Sequence, residues 1–154
     1  MTAQRATGSG LPSYAENHPR TEGTAAQARR LVRAAFGLWD LDHLTERGEL
    51  VITELVANAV RHTSCPQVRL IVSRPYPEWV RLAVVDRAPR KLPRLRQACA
   101  DDPTGRGLVL VDAYSNRWGY DLIGRTPGAP WGKAVWSELG SPNSDPRRHR
   151  HRIT

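Results

Sequence analysis

Hydrophobic and polar positions follow a helical period in two adjoining stretches of the sequence. In TAAQARRLVRAAFGLW, residues 24–39, apolar side chains recur three and four positions apart, and the arginines fall largely outside that stripe. This period predicts an amphipathic helix, with Thr24 as its candidate cap and Gly37 near its end. The same period continues from about Asp42, a favourable N-cap residue, to about His62 and predicts a second helix.

Four later stretches have the pattern of strands. QVRLIVSR and EWVRLAVVD alternate, are rich in β-branched side chains and are separated by PYP, which predicts an antiparallel hairpin. After a Pro-rich, charged segment at residues 87–103, GRGLVLVDAY opens with glycines and continues as a short helix. NRWGYDLI and WGKAVWSEL are two further predicted strands, joined by the turn-rich GRTPGAP.

The order of these elements is helix, helix, strand, strand, loop, helix, strand, strand. It predicts an α+β fold, a two-layer α/β sandwich with an antiparallel or mixed sheet and the helices on one face. Residues 1–23 are rich in Gly, Ser, Pro and charge, and residues 141–154 have a similar composition, so we predict that both ends are disordered. The folded domain is expected at residues 24–140.

The bulk composition is that of one globular domain. A length of 154 residues suggests a single domain, and a hydrophobic content of 40% is enough for a core. No apolar run approaches the roughly 20 residues that span a bilayer, and residues 1–20 lack the apolar stretch of a signal peptide, so we expect a cytoplasmic location. The only cysteines, Cys65 and Cys99, form no metal-binding pattern and are expected to be free thiols.

The net charge of +8 raises the question of nucleic-acid binding, but its distribution weakens that interpretation. A net +3 lies in residues 141–154, where RRHRHR has the composition of a solvated end as well as that of a phosphate-binding tail. The arginines of the domain itself are scattered. We therefore do not expect direct binding to nucleic acid, although the tail leaves that alternative open.

The second predicted helix carries a polar stripe in an otherwise apolar stretch. In ITELVANAVRHT, Glu54, Asn58 and His62 recur at four-residue intervals and would lie along one side of the helix. Such a stripe usually faces water. Here the neighbouring residues are so apolar that little of the circumference remains polar, which suits a cleft. In a cleft, Asn58 could offer its carbonyl oxygen to Mg²⁺, and Glu54 could act as a general base.

Two further segments have residues suited to a nucleotide. Asp86 ends a predicted strand, where it is either a turn residue or a ligand contact, and its carboxylate would accept a hydrogen bond from the exocyclic amine of adenine. In TGRGLVLVD, Gly105 and Gly107 flank Arg106 just before a helix. They let the backbone approach an anion beside free N–H groups, although such a glycine pair is more often a plain turn.

Together and in this order, three of these motifs resemble those of the GHKL ATPase superfamily. ELVANAVRH, AVVD and GRGLVLVD look like its N-box, first glycine box and second glycine box. The resemblance is greatest to its small single-domain branch, the anti-sigma-factor serine/threonine kinases. The segment WGKAVWSEL also resembles the last core strand of that branch. It covers about residues 24–139 and implies a Bergerat-type ATP-binding fold.

The resemblance also implies cofactors and residue roles. ATP and Mg²⁺ are the implied cofactors, with Glu54 as the general base, Asn58 as the Mg²⁺ ligand and Asp86 as the residue that reads adenine. The implied lid over the phosphates is formed by Gly105, Arg106, Gly107 and Leu108. His62 occupies the histidine position of the N-box, where we expect it to pack or to make an indirect contact.

The sequence departs from the family pattern at two places. The first glycine box usually reads DxGxG, but residues 86–91 read DRAPRK and contain no glycine. The last strand usually offers a Thr near the adenine aspartate, and here Ala134 is expected at that position. Each departure would weaken ATP binding by about 1 kcal/mol if it removes one hydrogen bond.

The function implied by the resemblance is that of an ATP-binding regulatory protein. The finer expectation is a serine/threonine protein kinase in transcriptional regulation, which transfers the γ-phosphoryl of ATP to a serine of an anti-sigma-antagonist-like partner. The alternative is a non-catalytic module that sequesters a sigma factor or another regulator, with ATP structural or absent. Because the family often forms dimers, a homodimer is a further expectation.

Overall fold

The computed structural model describes residues 5–6, 12–93 and 106–145, which contain three α-helices, two short 3-10 helices and six strands. The helices are α1 (Thr24–Leu38), α2 (Thr45–His62) and α3 (Arg106–Tyr114), and the 3-10 helices are Asp42–Leu44 and Pro142–Ser144. The strands are β1 (Arg5–Ala6), β2 (Pro12–Pro19), β3 (Gln67–Tyr76), β4 (Trp79–Asp86), β5 (Arg117–Ile123) and β6 (Gly132–Gly140).

The strands form one sheet in the order β1-β2-β3-β4-β6-β5, and every pairing between them is antiparallel. The helices pack on this sheet, with α1 against β2 and β3 and α2 against β4 and β6. The predicted two-layer sandwich is therefore confirmed, with an antiparallel rather than a mixed sheet. The core between the layers uses alternate strand residues and the apolar sides of the helices, among them Val68, Leu70, Val72, Val80, Leu82, Val84, Val32, Phe36, Ile52 and Leu55.

The two long helices lie close to their predicted positions but begin differently. Thr24 is the first residue of α1 rather than its N-cap, and its hydroxyl donates to the Pro19 carbonyl at 2.5 Å. After α1 the chain passes through Asp40 with a φ of 57°, a left-handed conformation that aspartate tolerates. Asp42 begins a 3-10 helix, and α2 itself starts at Thr45, so the predicted start of the second helix is early.

The helices α1 and α2 approach closely at Gly48. A Cβ atom placed on Gly48 would lie 2.6 Å from Phe36 Cε2 and 3.0 Å from Val32 Cγ1. Both α1 side chains are fully buried. The absence of a side chain at Gly48 therefore lets the Phe36 ring rest against the α2 backbone.

The strand β2 corrects the expectation that residues 1–23 are disordered. It pairs with β3 from Ser13↔Ser73 to Pro19↔Gln67, and the Tyr14 ring lies 5.6 Å from the Trp39 ring of the helical layer. Disorder is the wrong prediction for residues 12–19 because a strand at or near a sheet edge tolerates the prolines and polar residues that suggested it. Of the predicted tail at residues 141–154, residues 141–145 are described and include the 3-10 helix Pro142–Ser144, whereas residues 146–154 lie outside the described residues.

A single arginine fastens the end of β2 to the end of α2. The Arg20 guanidinium donates from Nε to the Cys65 carbonyl at 2.7 Å and from Nη1 to the Val60 carbonyl at 2.9 Å. Val60 lies in the last turn of α2, where carbonyl groups lack partners within the helix. Arg20 therefore satisfies a helix end while fixing the N-terminal strand.

Candidate functional site

The predicted polar stripe lies on α2, and its three residues differ in exposure. Asn58 is only 8% exposed, Glu54 is half-buried one turn before it, and His62 is exposed at the end of the helix. Within residues 12–93 and 106–145, no side chain hydrogen-bonds the Asn58 carboxamide. Within that part of the chain, the Asn58 carboxamide therefore keeps its donor and acceptor capacity for a ligand.

The helix that carries Glu54 and Asn58 is in contact with both other predicted parts of the site. It packs against β4, which ends at Asp86, and against α3, which follows the predicted glycine turn. Leu108 lies in the first turn of α3 and is buried, whereas the side chain of Arg106 is not described. Gly105 lies outside the described residues, so the geometry of the predicted phosphate lid stays a prediction.

The first described turn of α3 has the polarity that suits phosphate. The helix runs from Arg106 to Tyr114, and the N–H groups at the start of such a helix have no partners within it. They also lie at the positive end of the helix dipole. Amide donors at the start of α3, a helix that packs against α2, would suit a phosphate group.

Asp86 is not an open carboxylate, because it forms a buried ion pair with Lys133. The Lys133 Nζ atom donates to Asp86 Oδ1 at 2.9 Å and to the Ala88 carbonyl at 2.8 Å. The Ala88 N–H donates to the same Asp86 Oδ1 at 2.8 Å. Both charged side chains are 2% exposed. Sequence reasoning missed Lys133 entirely.

The register of β4 and β6 explains how Lys133 reaches Asp86. Asp86 is paired with Lys133, and Val85 is paired with Ala134. Since neighbouring strand residues point to opposite faces, Lys133 shares the helix-side face with Asp86, whereas Ala134 points to the other face. The expectation that Ala134 lies near the adenine aspartate is therefore wrong by one residue of register.

Gly132, next to Lys133, is a feature of the sequence that could have indicated the contact between β6 and Asp86. A Cβ atom on Gly132 would lie 2.5 Å from the Asp86 carbonyl oxygen, which only a residue without a side chain permits. The dipeptide Gly132-Lys133 at the start of β6 therefore combines close backbone approach with a charge that meets Asp86. A lysine in a strand whose other residues are largely buried could have suggested a buried partner.

The described residues contain no cluster of metal-binding side chains and no helix that could span a membrane. Within the described parts of the chain, no group of three or more His, Cys, Asp or Glu side chains could hold a metal ion. Mg²⁺ commonly takes only one or two protein ligands when phosphates supply the rest, so Asn58 fits it without such a group. No helix in the described segments has the length and apolar character to cross a bilayer. Cys65 is a free thiol, and Cys99 lies outside the described residues.

Comparison with known families decides what kind of domain this is. A model of the histidine kinase-like ATPase domain matches residues 18–129. The chain belongs to this family. The matched range of the histidine kinase-like ATPase domain includes Glu54, Asn58 and Asp86 and ends before Lys133. No curated protein matches the chain. Membership supports an ATP-binding regulatory domain, for which Mg²⁺ is the usual companion of the nucleotide.

Proposed function

We propose that this protein is an ATP-dependent serine/threonine kinase of the anti-sigma type, which phosphorylates a serine of an anti-sigma-antagonist-like protein or binds a sigma factor. The observation that carries the proposal is the nearly buried Asn58 carboxamide, which no described side chain hydrogen-bonds, beside the half-buried Glu54. Both lie on α2, which packs against α3 and against the strand of Asp86. Family membership adds the expectation of ATP.

In this proposal each described residue has a separate task. Bound Mg-ATP would supply the phosphoryl group and a divalent charge that neutralises its oxygens. The Asn58 carbonyl oxygen would be a ligand of the metal, and the amides at the start of α3 would hold phosphate oxygens. The Glu54 carboxylate would accept the proton of the substrate serine hydroxyl while the serine oxygen bonds to the γ-phosphorus of ATP and ADP leaves. Asp86 reads the base from the end of β4.

Nucleotide titration of Asn58→Ala tests the binding part of the proposal. We expect the wild-type protein to bind ATP more tightly with Mg²⁺ than without it, and Asn58→Ala to lose most of that magnesium dependence. Asn143→Ala is a matched control, because Asn143 is an exposed asparagine in the 3-10 helix Pro142–Ser144. Isothermal calorimetry measures both effects. Equal magnesium dependence in the wild type and Asn58→Ala would contradict the assigned role of Asn58.

Phosphoryl transfer from radiolabelled ATP tests the catalytic part. Glu54→Gln keeps the shape of the side chain but cannot take up the serine proton, so transfer to a candidate partner should fall by about 10²–10⁴-fold with ATP binding nearly unchanged. Glu46→Gln, in the first turn of the same helix, is the control and should retain full transfer. Undiminished transfer by Glu54→Gln would refute the role of Glu54 as base.

One observation favours a second function, the non-catalytic binding module. Asp86 Oδ1 is already engaged by Lys133 and by the Ala88 amide, so the base-reading carboxylate has part of its hydrogen-bonding capacity occupied. A module that sequesters a sigma factor without needing ATP would tolerate this arrangement. Absence of both binding heat and a thermal shift with Mg-ATP would favour this second function over the kinase.

A further inference from the structure

The buried Asp86–Lys133 pair presents a donor and an acceptor side by side at the end of β4. An ammonium group has three N–H donors, and within the described residues two acceptors, Asp86 Oδ1 and the Ala88 carbonyl, contact that of Lys133. An ionised carboxylate has about four acceptor positions, of which Asp86 uses two for Lys133 and Ala88. Both groups therefore retain capacity for a ligand.

A buried ion pair of this kind calls for an explanation other than stability. Removing two charges from water is costly, and well-packed apolar residues of similar size are often as stable or more so. Both side chains are 2% exposed, so the cost of desolvation applies in full. Lys133 is paired with Asp86, the residue to which the motif resemblance assigns recognition of the base. Specificity for a ligand is a role that would justify this cost.

The edge of adenine matches such a pair. Its exocyclic N6 amino group donates hydrogen bonds, and the adjacent ring atom N1 accepts one. We propose that Lys133 is a specificity-determining residue: its ammonium donates to N1 of adenine while Asp86 accepts from the N6 amino group. Guanine presents an acceptor at position 6 and a donor at position 1. Its donor and acceptor therefore stand in the reverse arrangement and do not match Asp86 and Lys133. This inference rests on the proposed binding of ATP.

The pair also fixes the position of the Asp86 carboxylate that would contact the base. The Lys133 ammonium and the Ala88 amide both donate to Oδ1, which anchors one oxygen of the carboxylate. Lys133 also holds the Ala88 carbonyl, so the backbone after β4 is tied to the same group. In a chain whose segment after Asp86 lacks glycine, this anchor positions the carboxylate in place of the usual DxGxG turn.

Titration of the unmodified protein with base analogues tests the inference without any substitution. The probes are ATP, 1-deaza-ATP and 7-deaza-ATP. In 1-deaza-ATP, C–H replaces N1. In 7-deaza-ATP, C–H replaces N7 of the five-membered ring and leaves N1 and the 6-amino group in place, so it serves as the control. We expect 1-deaza-ATP to bind at least about tenfold more weakly than ATP, as befits a lost hydrogen bond to a charged group. We expect 7-deaza-ATP to bind like ATP, and GTP to bind more weakly.

Two lysine substitutions provide the matched comparison. The chain has only two lysines, Lys133 and the exposed Lys91. Lys133→Met should remove the discrimination between ATP and 1-deaza-ATP, whereas Lys91→Met should keep it. If Lys133→Met does not fold, selective lysine isotope labelling of the wild type still gives two side-chain NMR signals. The Lys133 signal should shift much further with ATP than with 1-deaza-ATP.

The outcomes separate this inference from the proposed function. Equal affinities of the wild type for ATP and 1-deaza-ATP would overturn the inference and leave ATP binding standing. Tighter binding of ATP by Lys133→Met, with no discrimination by the wild type, would overturn it as well and make Lys133 an obstacle to the base. Absence of binding by every nucleotide tested would overturn the proposed function and this inference together.

Discussion

At the scale of single residues, the Asp86–Lys133 pair dominates the chemistry of the candidate site. Each partner is only 2% exposed, so removing one leaves an uncompensated, nearly buried charge. We predict that Lys133→Met lowers the free energy of unfolding by about 3–5 kcal/mol. Lys91→Met, at an exposed position, should change it by less than about 0.5 kcal/mol. Urea denaturation followed by tryptophan fluorescence measures both values.

A double substitution separates the pair from its surroundings. Asp86→Leu combined with Lys133→Met removes both charges, so the double variant should be more stable than the two single effects added together would suggest. Additive effects would show that the two side chains do not depend on each other. The Ala88 amide and carbonyl lose partners in the double variant, so recovery should be incomplete.

The candidate site was only partly predictable from the sequence, and register is the reason. Asn58 and Asp86 are buried, as their neighbours in the sequence suggested. The partner of Asp86 lies 47 positions away on another strand, and a shift of one residue exchanges Lys133 for Ala134. Local sequence does not specify pairing across such a separation, because register depends on the whole sheet.

At the scale of elements, the contact between α1 and α2 depends on a glycine that its helix would otherwise disfavour. Alanine has the higher helix propensity, by about 1 kcal/mol, but at Gly48 its methyl group would collide with Phe36. We predict that Gly48→Ala destabilises the protein by about 1–3 kcal/mol through overpacking. The measurement is again the free energy of unfolding.

Gly37 provides the control for this prediction. It lies in α1, and a Cβ atom there would meet only Asp42 Oδ1 at 3.8 Å, an ordinary contact. Gly37→Ala should therefore gain helix propensity without a collision and stabilise the protein by up to about 1 kcal/mol. Similar effects of the two substitutions would contradict the close approach at Gly48.

The helices and the hairpin were predictable because each carries its own periodic pattern. The apolar period of α1 and α2 and the alternation of β3 and β4 each bury one face in the core. The strand β2 lacks such a pattern, since Glu16 and His18 stand at alternate positions with Tyr14. Its stability comes from pairing with β3, which lies about 50 residues further along, so local composition pointed to disorder instead.

At the scale of the whole molecule, the folded domain begins earlier than residue 24. A chain that starts at Arg20 would lack β2, expose the edge of β3 and uncover Trp39. We predict that its melting temperature falls by at least about 5 °C relative to a chain that starts at Pro12. Circular dichroism measures the melting of both. Equal melting temperatures would mean that β2 contributes nothing to stability.

The far side of the sheet carries several charged side chains, and no helix of the described residues is seen to cover it. On it, Trp136 lies under two guanidinium groups, with Arg81 at 4.4 Å and Arg117 at 4.9 Å from its ring. Arg81 is paired with Asp121 at 2.9 Å and Arg117 with Glu138 at 3.0 Å. Part of the basic charge of the domain is therefore used within the molecule, which weakens its value as a signal for nucleic acid.

The strand order of the sheet has a consequence for how the protein folds during its synthesis on the ribosome. The strand β2 is synthesised before α1 and α2, and its partner β3 follows these two helices. The strand β4 can pair with β6 only after α3 and β5 have been synthesised. The α1–α2 hairpin is local and complete well before that moment. During translation the helical layer therefore exposes its apolar side. The Asp86–Lys133 pair can form only when nearly the entire domain has emerged from the ribosome.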